Sequence, residues 1–125
     1  MKNGLFFCFL MFALYACKTP EAELVPWEGT WHLSESMSGW EGNQNYAQGA
    51  VTWTFHANQD VDVVLHASVN ANLPIMQNGT YNCPVNNSKI TINGRLYHFV
   101  LDDHGNLIVA DYEVYDGDTY VFKRN

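Results

Sequence analysis

Two patterns of apolar and polar positions divide the chain. Residues 5–16 are all apolar or aromatic, with no polar face to turn toward water. From Trp27 onward the pattern changes to short runs in which apolar and polar residues alternate, bounded by Gly, Asn, Asp and Pro. A period of two is the pattern of a half-buried strand, and nothing beyond Trp27 keeps a helical period over a useful length. Eight strands are predicted, at 28–34, 49–57, 61–68, 79–83, 88–93, 95–101, 107–113 and 118–124. Eight short strands with mostly tight connections, and nothing to cover a sheet edge, point to an all-β fold. It reads as an eight-stranded antiparallel up-and-down meander closed into a small barrel, since closure alone removes the edges. An open sandwich is the alternative.

The turns set expected registers. Asn58-Gln59-Asp60 joins two strands, and pairing Ala57 with Val61 sets Phe55 opposite Val63, Trp53 opposite Leu65 and His56 opposite Asp62. Val51, Trp53, Phe55, Val61, Val63 and Leu65 then share one face, and Thr52, Thr54, His56, Asp62 and His66 the other. Asn93-Gly94 is the strongest hairpin signal, because a type I′ turn needs φ > 0 at both central residues, and it sets Ile90 opposite Tyr97. Asp102–Asn106 and Asp116-Gly117-Asp118 read as turns whose Asp side chains bond the turn backbone. Alternating connections then put the long loops 35–48 and 69–78 at one end. The short turns at 58–60, 84–87 and 102–106 fall at the other.

The apolar block reads as an export signal. Lys2 supplies a short positive region and residues 5–16 the hydrophobic one. Twelve residues rise only about 18 Å as a helix, well short of a hydrocarbon core of roughly 30 Å, so the block is too short to span. Leu14-Tyr15-Ala16-Cys17 resembles the lipobox of bacterial lipoproteins, with Leu at −3, a small residue at −1 and Cys at +1. The resemblance implies a signal peptide over 1–16, acylation of Cys17, and a tether over 17–26 that leads into a domain at 27–125. Acyl chains of this kind hold a protein on a membrane far more firmly than one chain alone. Glu21 and Glu23 resemble the surface-export signal of Bacteroidota lipoproteins, though they sit later than is usual there. The implied address is the cell envelope, lipid-anchored at the outer membrane, with the leaflet open.

The domain has a resemblance of its own. Gly29-Thr30-Trp31 matches the Gly-x-Trp signature of lipocalins, and Tyr120-Val121-Phe122-Lys123-Arg124 resembles the last strand of those barrels. Trp53-Thr54-Phe55, Gly79-Thr80-Tyr81 and Ile90-Thr91-Ile92-Asn93-Gly94 look like the small lipocalin-like domains of Bacteroidota lipoproteins. The resemblance covers residues 27–125 and implies a lipocalin-like barrel in which Gly29, Trp31 and Arg124 form the structural signature. In such barrels the terminal Arg packs across the first-strand Trp and shuts one end.

Charge and chemistry narrow the function. Thirteen acidic residues against six basic ones give a net charge of −7, the wrong sign for a nucleic-acid partner. Removing the signal leaves 125 − 16 = 109 residues and takes Lys2 with it, so the net charge becomes −8. Cys8 leaves with the signal and Cys17 carries lipid, so Cys83 has no disulfide partner and reads as a small buried apolar residue. The five histidines, His32, His56, His66, His98 and His104, show no metal-ligand spacing, so no metal or cofactor is expected. His56 with Asp62 reads as a cross-strand pair. No nucleophile stands beside a base in any recognisable motif, and an enzyme is not expected.

Two functions fit. The first is a small apolar ligand held by Trp53, Phe55, Tyr97, Phe99 and Phe122 inside the barrel, with Trp40 and Tyr46 at its rim. The second is a filled barrel that binds an extracytoplasmic protein or a glycan, as an inhibitor of a hydrolase would. In the second, the loops at 35–48 and 69–78 fold over and plug the mouth. The lipobox supports a direct prediction. Cys17→Ser expressed in the native host moves the protein from the membrane to the soluble fraction, and unchanged partitioning would contradict the lipid anchor.

Overall fold

The computed structural model describes residues 26–39, 42–66, 73–113 and 117–124. The expected signal, Cys17, most of the tether and Trp40 lie outside these residues. Every regular element described is a strand: β1 (Gly29–Ser38), β2 (Gly42–Asn45), β3 (Val51–Phe55), β4 (Asp60–Leu65), β5 (Gly79–Asn82), β6 (Val85–Asn86), β7 (Lys89–Ile92), β8 (Arg95–Leu101), β9 (Leu107–Asp111) and β10 (Thr119–Lys123).

All the pairings are antiparallel. β1 bonds β3 on one side and β10 on the other, and from there the sheet runs through β4 to β5 and through β9, β8 and β7 to β6. Its two ends belong to one stretch of chain, because only Cys83 and Pro84 separate β5 from β6. The Cys83 N–H donates to the Gln59 carbonyl on the β4 side at 2.9 Å, while the Pro84 carbonyl accepts from the Thr91 N–H on the β7 side at 3.0 Å. Proline has no N–H to give a ladder, so the change of partner falls at the residue that cannot donate. The wall is thus a circuit of eight strands, one of them divided between two neighbours.

Three details differ from the sequence expectation. Residues 42–45, Gly-Asn-Gln-Asn, are not loop; they fold back as β2 on the far half of β1. Within 84–87, Val85 and Asn86 continue as strand, and the turn moves to Asn87 and Ser88, both at positive φ (50° and 60°). The β3–β4 register is Phe55 with Val61 and Trp53 with Val63, two residues from the expected one. The reason is a turn of the same length placed one residue earlier, at 57–59. The Gln59 N–H bonds the His56 carbonyl, the His56 N–H bonds the Asp60 carbonyl, and Gln59 takes φ 73°. Because the shift is even, each side chain keeps its expected face. The other hairpin agrees with expectation: Ile90 pairs with Tyr97, and Asn93 and Gly94 take φ 50° and 78°.

The inner faces make one core. Val51, Trp53, Phe55, Val61 and Val63 point inward with Trp31, Leu33, Ile90, Ile92, Phe99, Leu107, Val109 and Phe122. Cys83 joins them, almost fully buried, and its thiol pKa is pushed up to about 11 by burial and by Asp60. At the end that holds the 56–59, 87–88 and 102–106 turns, Trp27 stands edge-on to Phe55 and Phe99, with centroids 6.0 and 5.7 Å away. The Asp102 carboxylate accepts the N–H groups of His104 and Asn106 in the last of these turns, as expected there.

Arg124 seals this end. Its guanidinium lies 4.3 Å from the centre of the Trp31 ring and donates to the carbonyls of Pro26 and Glu28. The Trp31 indole N–H donates to the Trp27 carbonyl at 2.8 Å. The last strand thereby grips the segment that enters the first. Arg124→Gln loses the cation–π contact and should lower unfolding stability by about 1 kcal/mol, read as a lower urea midpoint at unchanged slope.

Candidate functional site

The opposite end of the barrel is chemically different. Along β8, period two aligns Phe99, Tyr97 and Arg95; along β9, Leu107, Val109 and Asp111; along β10 and the residue before it, Phe122, Tyr120 and Asp118. Each row begins with an apolar side chain at the sealed end and finishes with a charged one at the mouth. Tyr97 pairs with Asp111, and the Asp111 N–H bonds the Asp118 carbonyl at 2.9 Å, so these three sit level across adjacent strands. Arg95 stands one step further out.

These residues enclose an open pocket of about 250 Å³. Arg95, Tyr97, Asp111, Asp118 and Tyr120 supply its polar wall, and Leu73 and Pro74 close the remaining side. The Arg95 guanidinium donates to the Asp111 carboxylate, which holds Arg95 protonated above its ordinary range. The other oxygen of Asp111 accepts the Glu113 N–H at 2.9 Å. Gly117 lies against Asp111 so closely that a Cβ there would collide with its side chain. The Tyr120 hydroxyl donates to Asp118 at 3.2 Å, and its phenol is held well above its usual range by burial and by Asp118. Burial also raises the Tyr97 phenol; Arg95 pulls it back down, and Asp111 and Asp118 push it up. The Tyr97 hydroxyl has no hydrogen-bond partner among the described residues.

The residues expected to line a ligand cavity divide into groups. Trp53 and Phe122 pack ring on ring at 4.8 Å, and Phe55 meets Phe99 at 5.5 Å within the trio completed by Trp27. Trp53 Nε1 is buried among these rings without a partner. Among the described members of the set, Tyr97 alone lines the mouth pocket. Tyr46 is half-buried against the core, its hydroxyl 3.0 Å from the Ser36 hydroxyl. Leu73 and Ile75, from the expected 69–78 loop, are 9% and 2% exposed and belong to the same core. The Pro74 carbonyl between them accepts from the Asn93 side chain at 3.4 Å.

From the sequence, Arg95 and Asp111 are not singled out, Asp118 reads as a turn residue and Tyr120 as part of the last strand, none of them as a site residue. Their signal was parity: Asp111 follows Leu107 and Val109 at steps of two, and Asp118 precedes Tyr120 and Phe122 in the same way.

A second polar cluster lies on the outer wall. His56 Nε2 is 2.7 Å from Asp62, and the Thr80 hydroxyl donates to the other oxygen of Asp62 at 2.6 Å. These bonds hold the Asp62 carboxyl below its ordinary range. The threonine bonds the acid and not the histidine. Among the described residues, no three His, Cys, Asp or Glu side chains converge as a metal site would require.

Compared with known proteins, the chain matches no family, no curated sequence and no solved structure. The pocket geometry makes its own prediction. Asp111→Asn removes a negative charge beside Tyr97 and frees the Arg95 guanidinium, and both changes stabilise a phenolate. The Tyr97 phenol pKa should therefore fall, measured by 13C NMR of the labelled ring; an unchanged value would mean that these groups do not face one another.

Proposed function

We propose that this protein is a lipid-anchored binding module of the cell envelope, a lipocalin-like barrel with a filled interior that recognises its partner at the mouth. The observation that carries this reading is the burial of Leu73 and Ile75 in one core with the tilted and edge-on rings of Trp53, Phe55, Phe99 and Phe122. A barrel of eight strands is just wide enough for side chains to fill. An apolar ligand would have to displace rings that already touch, and aromatic pairs of this kind contribute about 0.5–1.5 kcal/mol each beyond their burial. The mouth pocket, about 250 Å³ and mostly polar at its wall, suits one side chain or a small polar group.

The sealed end supports an orientation. The segment gripped by Arg124 is the one that leads back toward Cys17, so an acylated Cys17 would hold the sealed end toward the membrane and the mouth away from it. Exposed recognition at the mouth fits an extracytoplasmic protein or a glycan, such as the target of a hydrolase inhibitor. The test is native mass spectrometry of the protein purified from its own host, together with titration by a fluorescent fatty acid. The filled barrel carries no apolar ligand and shows no saturable binding. A co-purifying lipid, or saturable binding abolished by Phe55→Trp, would return the function to the interior.

A further inference from the structure

The mouth pocket has a chemical preference that its composition alone does not state. Two carboxylates, Asp111 and Asp118, face one guanidinium, Arg95, and that guanidinium is already bonded to Asp111. Asp118 meets only a neutral phenol hydroxyl among the described residues. One full negative charge is therefore left at a partly enclosed site, where low dielectric strengthens its pull on a cation. The second feature is Tyr97. It is 7% exposed, it lines the pocket, and its hydroxyl finds no hydrogen-bond partner among the described residues. That oxygen is not among the buried atoms left without a partner; it opens into the pocket and offers an acceptor to an occupant that brings a donor.

The distribution of basic residues points the same way. Lys123 and Arg124 lie toward the sealed end and the Lys89 ammonium sits on the Tyr112 ring, so Arg95 is the one lysine or arginine described that lines the pocket. An anion entering there would meet uncompensated carboxylate, whereas a cation would meet its counter-charge.

Taking the mouth as the recognition end, we infer that this pocket binds a primary ammonium group. Asp118 acts as its counter-ion, the Tyr97 hydroxyl accepts one of its hydrogens, and the Leu73–Pro74 wall packs along the attached methylenes. An ammonium carries three donors on a slim apolar stem, which matches two oxygen acceptors beside an apolar wall. The Arg95–Asp111 pair fixes the far side and repels a misplaced cation. The same chemistry could come from a free alkylamine or from a lysine side chain of a partner protein.

The experiment uses the full-length protein in detergent micelles, with tyrosine rings 13C-labelled. The probes are n-butylammonium, 1-pentanol as a neutral chain of similar reach, methyl glucoside, and Nα-acetyl-lysine-N-methylamide. Butylammonium should shift the Tyr97 and Tyr120 ring signals saturably, and more weakly as salt is raised from 0.05 to 0.5 M on the order of the screening expected. Asp118→Asn should weaken binding about tenfold or more, a loss of roughly 1.4 kcal/mol, while Asp118→Glu retains it and so excludes simple misfolding. Tyr97→Phe, followed through Tyr120, should weaken it about threefold. Tighter binding of the lysine derivative than of butylammonium would identify a protein side chain as the source, and the reverse order a free amine; either supports the site.

Equal binding of pentanol or methyl glucoside would overturn the ammonium assignment and leave the mouth as a recognition end. So would an affinity indifferent to Asp118→Asn, or no shift with any cation. A lipid found inside the barrel would instead overturn the filled-barrel reading, whatever the amines do.

Discussion

The pairing of the first strand with the last is the constraint on which the rest depends. β1 meets β10 from His32–Lys123 to Met37–Thr119, with one irregularity between Leu33 and Glu35, and meets β3 along its other edge. Without that long-range contact the sheet would keep two open edges, and its inner rows would face water instead of one another. With it, Phe122 is laid on Trp53, which faces Trp31 across β1 and β3, and Arg124 arrives beside the segment that enters the barrel. One backbone ladder therefore does three things: it closes the wall, assembles the aromatic core and positions the seal.

Closure at this size decides how the interior is filled. Large rings occupy the sealed end and the middle, and Leu73 and Ile75 belong to the same core. The inner rows change from apolar to phenolic to charged along the axis, so polarity is concentrated where the wall meets solvent. Desolvating a charge deeper in the barrel would cost several kcal/mol even when paired. At the mouth the same kinds of group keep partial access to water, which lowers that cost.

Much of this was legible in the chain, for identifiable reasons. Asn93-Gly94 announced its turn because few residues tolerate two consecutive positive φ angles, and the register of Ile90 with Tyr97 followed. The neighbouring hairpin was offset because its left-handed position is Gln59, a residue type that gives no notice of that conformation. β2 escaped because Gly42-Asn43-Gln44-Asn45 contains no apolar residue to create a period; its place is fixed by bonds to β1 alone. β6 escaped because two residues after a proline carry too little pattern to read. At the site, the aromatic members stood out by type. The charged ones were hidden because a charged residue at a strand end reads as solvent-facing unless the inner rows are counted through to their last member.

The stretch from Gly79 to Asn86 has a mechanical consequence. Each half of it is bonded to a different neighbour, β5 to β4 and β6 to β7, so no ladder runs straight across the wall at Cys83 and Pro84. Elsewhere around the circumference, hoop tension is carried by rows of backbone bonds. Here it must pass lengthwise through a few residues of chain. The wall is stitched at that point by single hydrogen bonds in place of a ladder, and the Leu73–Pro74 segment, tied to Asn93 at the end of β7, stands on one lip of the seam.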